Sequence, residues 1–129
     1  MRIEYRITNG YVKDGTVTFT YEGPAEQLGQ QPAGKMITDS DEGTFVYLFE
    51  DGEDYKYLHF TQGVWPLMQL LSAGSQDPML ACSDAEIVLN GFTEELTMLV
   101  FNIEGNGNYG ETFMLAVEEA FADTLQTMG

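Results

Sequence analysis

Along the first sixty residues, apolar and polar positions alternate with a period of two. Ile3, Tyr5 and Ile7 alternate with Glu4 and Arg6, and Val17, Phe19 and Tyr21 alternate with Thr16, Thr18 and Thr20. Successive side chains of a strand point to opposite faces, so each segment predicts a half-buried strand. Asn9-Gly10 and Asp14-Gly15 lie between them. A glycine at either place supplies the positive φ of a tight reversal, which predicts that the two strands form an antiparallel hairpin. Residues 23–35 carry three Gly and two Pro without a sustained apolar period and read as a loop with at most one helical turn. Thr44 to Phe49 and Tyr55 to Phe60 are rich in aromatic and β-branched residues and flank Glu50-Asp51-Gly52-Glu53-Asp54, the clearest hairpin in the chain. Phe45, Tyr47 and Phe49 alternate with Val46 and Leu48, so this strand is apolar on both faces and belongs in the middle of a sheet. If Val46, Leu48, Leu58 and Phe60 are not all covered within one chain, a symmetric homodimer would cover them.

Beyond residue 60 the period changes to that of a helix. Val64, Leu67, Met68 and Leu71 follow an i, i+3, i+4, i+7 stripe that starts near Thr61, keeps Pro66 in the first turn and ends at Gly74. Met79 to Cys82 and Glu86 to Leu89 predict a further hairpin about Ser83-Asp84. Leu96, Leu99, Val100 and Ile103 form the core stripe of a helix whose N-cap is read as Thr93, with Glu94 and Glu95 at its positive end. Phe113, Val117, Ala120, Phe121 and Leu125 recur at helical spacing in a last helix from about Glu111. These elements predict an α+β fold in a single domain, residues 1–129. The expected architecture is one antiparallel sheet of about five or six strands built from hairpins, with two or three helices packed on one face.

Charge changes the functional picture more than any motif. The chain has 21 acidic and 5 basic side chains, a formal charge of −16, and residues 57–129 contain no Lys or Arg. A field of that sign opposes a phosphate-binding surface, so nucleic acid is excluded as the main ligand. It fits either a solvated, solubility-promoting face or a surface that docks a basic partner. Cys82 is the only cysteine, which rules out an internal disulfide and fits a reducing, cytoplasmic location. Its apolar neighbours predict a buried, inert thiol. The alternation of charged and apolar residues from Met1 to Arg6 is unlike a signal peptide, and no apolar run reaches membrane-spanning length.

The motifs favour structural readings. Gly105-Asn106-Gly107-Asn108-Tyr109-Gly110 spells G-x-G-x-x-G, but it follows a helix and is surrounded by Glu104, Glu111, Glu118 and Glu119, which would repel a pyrophosphate. Helix capping by Gly105 and tight turns explain the same letters. Asp39-Ser40-Asp41-Glu42-Gly43 resembles a calcium loop but places its glycine one position early. Weak divalent binding there, at Asp39 and Asp41, or between Glu50 and Asp54, remains compatible with the clustered carboxylates. His59 is the sole histidine, which excludes His-pair metal sites, and it is read as an edge or interface residue. No catalytic residue, metal ligand set or cofactor site is assigned. Trp65 has two readings, core packing or a half-exposed anchor for a partner.

The strings Gly34-Lys35-Met36-Ile37-Thr38-Asp39-Ser40-Asp41, Phe45-Val46-Tyr47, Val64-Trp65-Pro66-Leu67, Glu94-Glu95-Leu96 and Asn102 to Gly110 resemble, in order and spacing, the YjbL-like uncharacterised proteins of Bacillus-related Firmicutes. The resemblance covers most of the chain from Gly34 onward. It implies a bacterial cytoplasmic setting and brings no activity, cofactor or catalytic residue with it. It draws attention to Trp65, Asn106, Asn108 and Tyr109, which fall inside the matching strings and form the candidate interaction surface.

The leading functional expectation is therefore a non-catalytic, acidic interaction or regulatory protein that binds a protein partner bearing a basic surface, with no membrane and no nucleic acid as partner. A small-molecule-binding domain with a Tyr-, Phe- and Met-lined cleft is the first alternative. An enzyme using carboxylates or His59 is the second.

Overall fold

A computed structural model describes residues 3–71 and 76–128, with side chains to residue 126. Its eight strands form two four-stranded sheets instead of one sheet of five or six. The first sheet contains β1 (Ile3–Ile7), β4 (Gln31–Asp39), β5 (Thr44–Asp51) and β6 (Asp54–Phe60), in the order β1-β6-β5-β4. The second contains β2 (Gly10–Lys13), β3 (Thr16–Thr20), β7 (Met79–Ala81) and β8 (Glu86–Val88), in the order β2-β3-β7-β8. The fold class is α+β, as the patterning predicts.

The sheets are mixed, because each includes one parallel pairing. β1 runs parallel to β6, with Tyr5 opposite Leu58 and Arg6 opposite His59. β3 runs parallel to β7. The expected hairpin of Ile3–Ile7 with the Val17 segment is thus corrected: β1 leaves for the first sheet, and Asp14-Gly15 turns β2 into β3. The hairpins β5–β6 and β7–β8 form where the alternation places them. Much of the expected loop at 23–35 is structured, with a 3-10 turn at Ala25–Leu28 and then β4. β4 tolerates Pro32 and Gly34 because it is the edge strand, and its register shifts between Pro32 and Met36.

β5 is internal, flanked by β4 and β6. Its inner face, Phe45, Tyr47 and Phe49, joins Leu58 and Phe60 in the core. Val46 and Leu48 lie on the other face and are also buried, so all four residues considered above for dimer contact are covered within one chain. That covering removes the reason given for a second copy.

Helix side chains pack on the inner face. The ring of Phe45 touches Phe113 and Phe121, and Tyr47 touches Phe92. The second sheet closes on the same core, where Phe19 meets Phe60 edge-on at 4.9 Å. α1 (Trp65–Gln69) follows a 3-10 turn at Gln62–Val64 and is only five residues long. The expected stop at Gly74 lies outside the described residues. α2 (Phe92–Ile103) is followed by a 3-10 turn at Gly107–Tyr109. The expected last helix is divided into α3 (Glu111–Ala120) and α4 (Ala122–Met128), with the break at Phe121, whose φ of −111° and ψ of 25° leave the helical region.

Thr93 does not cap α2. The N-cap is Gly91, at φ +75°, where a Cβ would come within 3.2 Å of the Gly34 carbonyl oxygen. The capping acceptor comes from outside the helix. The Asp77 carboxylate accepts from the N–H of Gly91 at 3.1 Å and from that of Thr93 at 3.0 Å. Thr93 is buried and directs its hydroxyl to the Gln76 carbonyl.

Candidate functional site

The residues singled out from sequence separate into two groups. Trp65 is 2 % exposed, donates its indole N–H to the Phe60 carbonyl at 3.1 Å and stacks among Phe45, Phe113 and Phe121. It is a core residue, which withdraws it from the candidate interaction surface. Asn108 is exposed in the α2–α3 loop, while Asn106 and Tyr109 are half-buried there and Tyr109 packs against the core. There the Asn106 side chain accepts from the Asn108 N–H at 3.0 Å, Gly105 takes φ +67°, and the Glu118 carboxylate accepts from the Gly105 N–H at 2.7 Å. These are the turn and cap roles predicted for the glycine-rich string. At the far end of the loop Gly110 takes φ +92°, and a Cβ there would come 3.8 Å from Ser40 Cβ in the β4–β5 turn.

The Phe, Tyr and Met side chains expected to line a cleft mostly pack on one another instead. Tyr47 is fully buried and donates its hydroxyl to the Asn90 carbonyl at 2.6 Å. Burial pushes the Tyr47 phenol well above its ordinary range and the nearby Asp77 charge adds to the rise, while a backbone hydrogen bond with Gly34 opposes it. The unfolded chain loses this proton near the ordinary tyrosine pKa and the folded chain holds it, so stability falls as pH rises from about 10 toward the folded value. A spectrophotometric titration of the phenols should therefore show one tyrosine that ionises only together with unfolding; independent ionisation of every tyrosine in the folded state would contradict this. Cys82 is half-buried, not buried as expected, yet burial, and then Asp84, still raise its thiol, which suppresses thiolate at neutral pH.

The most chemically defined group lies on the opposite side of the first sheet from the helices. β5 and β6 place Thr44 and His59 there, β1 places Glu4 and Arg6, and Asp39 ends β4 opposite Thr44. His59 sits on an internal strand and is 2 % exposed, which corrects its reading as an edge histidine. Its Nε2 lies 2.7 Å from Glu4 Oε1 and its Nδ1 lies 2.8 Å from Thr44 Oγ1. Asp39 Oδ1 accepts from the Glu42 N–H at 3.1 Å, and Glu42 pairs with the Arg6 guanidinium at 3.1 Å. One ligand atom each from Glu4, Asp39 and His59 falls within 4.8 Å of the others.

The order carboxylate, imidazole, hydroxyl imitates a nucleophilic triad, but Thr44 is 1 % exposed and offers no approach to a substrate. Sequence spacing gave no hint of the cluster, since Glu4 and Asp39 lie 55 and 20 positions before His59. The one available signal was a histidine and an acid at strand positions facing away from the core.

No helix among the described residues is long and apolar enough to cross a membrane. The chain is 40 % identical over 121 residues to a UPF0738 protein of Lysinibacillus sphaericus, covering 94 % of this chain and 95 % of that one. It is 38 % identical over 110 residues to UPF0738 protein SH1953 of Staphylococcus haemolyticus, covering 85 % and 90 %. UPF0738 protein YjbL of Bacillus subtilis is 31 % identical over 121 residues, covering 94 % and 99 %. No solved structure matches the chain. The model of UPF0738, described as a family of unknown function, matches residues 5–121, from the middle of β1 to the break after α3, and the chain belongs to that family.

Proposed function

We propose that this protein is a non-catalytic, cytoplasmic interaction module that docks a protein partner bearing a Lys- and Arg-rich surface on its layer of helices. The observation that carries this reading is charge segregation. Glu94, Glu104, Glu111, Glu119 and Asp123 are exposed along α2 to α4, and no Lys or Arg occurs anywhere after Lys56. The basic residues described sit elsewhere. Arg6, Lys35 and Lys56 are on the first sheet and Lys13 is on β2. Arg6 pairs with Glu42, and Lys56 is held by the Gln27 carbonyl at 2.7 Å and by Asp51 at 3.6 Å.

Such a one-sign layer attracts a basic surface over roughly a Debye length, about 8–10 Å at physiological salt, and accelerates encounter with it. Met98 and Leu115, each 51 % exposed on α2 and α3, add apolar area that survives once the charges are screened. The loop of Asn106, Asn108 and Tyr109 joins these two helices and borders the same layer. The packed ring cluster around Trp65 argues against the small-molecule reading, since those aromatic faces are occupied by one another.

The test compares two charge-reversal variants as baits in Bacillus subtilis lysate, with captured proteins identified by mass spectrometry and their affinities remeasured with purified components. Glu94→Lys/Glu111→Lys/Glu119→Lys should lose a basic partner that the native chain and Glu53→Lys/Asp54→Lys both retain, and near-molar salt should weaken that partner's binding. Equal loss in both variants, or affinity indifferent to salt, would overturn the proposal.

A further inference from the structure

We infer that Glu4, Asp39 and His59 form a divalent metal site that takes a transition ion of the Zn2+ class. The inference does not depend on the proposed docking layer, which lies on the other side of the first sheet. Three features distinguish this group from an ordinary patch of acids. The first is the donor set: one imidazole nitrogen and two carboxylates, drawn from β6, β1 and β4, whose ligand atoms lie within 4.8 Å of one another. Zn2+ is commonly held by three such protein ligands, with a further position left to water. Nitrogen and oxygen donors also bind Zn2+ more tightly than Mn2+ or Fe2+, whereas an all-oxygen cluster would suit Ca2+ or Mg2+ better.

The second feature is orientation. His59 is buried and its Nδ1 faces Thr44 Oγ1 at 2.8 Å. Metal binding at Nε2 would displace the proton that Nε2 shares with Glu4 at 2.7 Å and leave the ring proton on Nδ1, donated to that hydroxyl, which is the tautomer a metal needs. Thr44 is therefore a positioning residue. Its own 1 % exposure keeps water from competing for the Nδ1 proton.

The third is reach. Bonds of about 2.0–2.2 Å place ligand atoms roughly 3.3 Å apart around a tetrahedral ion. Closing from 4.8 Å to that separation needs a shift of order 1 Å. Glu4, on an edge strand and 43 % exposed at its side chain, has that freedom, while the Glu42 N–H steadies the Asp39 carboxylate. Lys35 reaches over the Tyr55 ring, four residues along β6 from His59, and Arg6, the cation opposite His59, has its charge engaged by Glu42. The carboxylates of Glu4, Asp39 and Glu42 therefore outweigh it.

The sole histidine makes the test direct. Protein freed of metal with a chelator and labelled with 15N is titrated with Zn2+ while the imidazole nitrogens are followed by NMR and the heat is followed by calorimetry. The expected result is one Zn2+ per chain, a large displacement of the Nε2 resonance with a smaller one at Nδ1, and a rise in Tm as metal binds the folded chain. Asp39→Asn and Glu4→Gln should weaken binding at least 10-fold, and Thr44→Val by 10–100-fold, as loss of a partner to a metal-bound imidazole does. Asp41→Asn and Glu53→Gln should leave it unchanged. An imidazole spectrum unmoved by saturating Zn2+ would overturn the inference, as would equal weakening by Asp41→Asn and Asp39→Asn. Because the native chain gives the NMR result, misfolding of a variant does not shelter the inference.

Discussion

Replacing Phe92 by alanine is expected to cost about 3–5 kcal/mol, a large part of the roughly 5–15 kcal/mol that holds a domain of this size folded. Phe92 opens α2 and is fully buried where the two sheets and the helix meet. Its ring contacts Phe60 of β6 at 5.0 Å, Tyr47 of β5 at 5.6 Å and Phe19 of β3 at 5.7 Å. Removal leaves a cavity that three rings from three strands cannot close together, because each is fixed by its own ladder. Chemical denaturation should show the loss in the midpoint with little change in slope, and Tm should fall by roughly 10–20 °C. Leu115→Ala, at a half-exposed position on α3, serves as the comparison and should stay within about 0.5 kcal/mol of the native protein. A cost below about 1 kcal/mol for Phe92→Ala would mean that the sheets do not share one core.

That shared core also explains which parts of the fold were legible in the sequence. The β5–β6 hairpin could be read because its signals are local: alternating aromatic residues and a turn at Asp51-Gly52. β1 could be read as a strand but not assigned a partner, since its parallel mate β6 lies some fifty residues away and parallel pairing has no turn to mark it. β4 was hidden by Pro32 and Gly34, residues that an edge strand accepts and a propensity argument rejects. Burial of Trp65 depends on Phe113 and Phe121, 48 and 56 residues further along, so its two readings could not be separated from its neighbours in sequence. The Glu4, Asp39 and His59 group was invisible for the same reason. Three strands had to be ordered before those side chains could be seen to meet. The turn and cap residues of 105–110 were legible because their physics is contained in a few peptide units.

The capping of α2 by Asp77 carries the same lesson into energetics, and Asp77→Ala is the second large effect expected. The carboxylate spans 14 and 16 residues to accept from the N–H groups of Gly91 and Thr93. Those donors sit at the positive end of a twelve-residue helix, so the bonds are charge-assisted as well as directional. Both are partly buried, and water replaces the lost acceptor incompletely. The expected cost is about 1–3 kcal/mol, the penalty of an unpaired buried donor. Asp77→Asn should recover only part of it: one oxygen still accepts, but the charge is gone and the amide NH2 faces a second donor. Hydrogen exchange separates this from general destabilisation. The Gly91 and Thr93 amides should lose protection well beyond the drop seen in β5, because their own acceptor has been removed. Uniform loss across the core, with no excess at those two amides, would show that Asp77 acts by some route other than the cap. The helix start would then rest on Gly91 alone, whose positive φ shapes the turn but offers no side-chain acceptor for the exposed N–H groups.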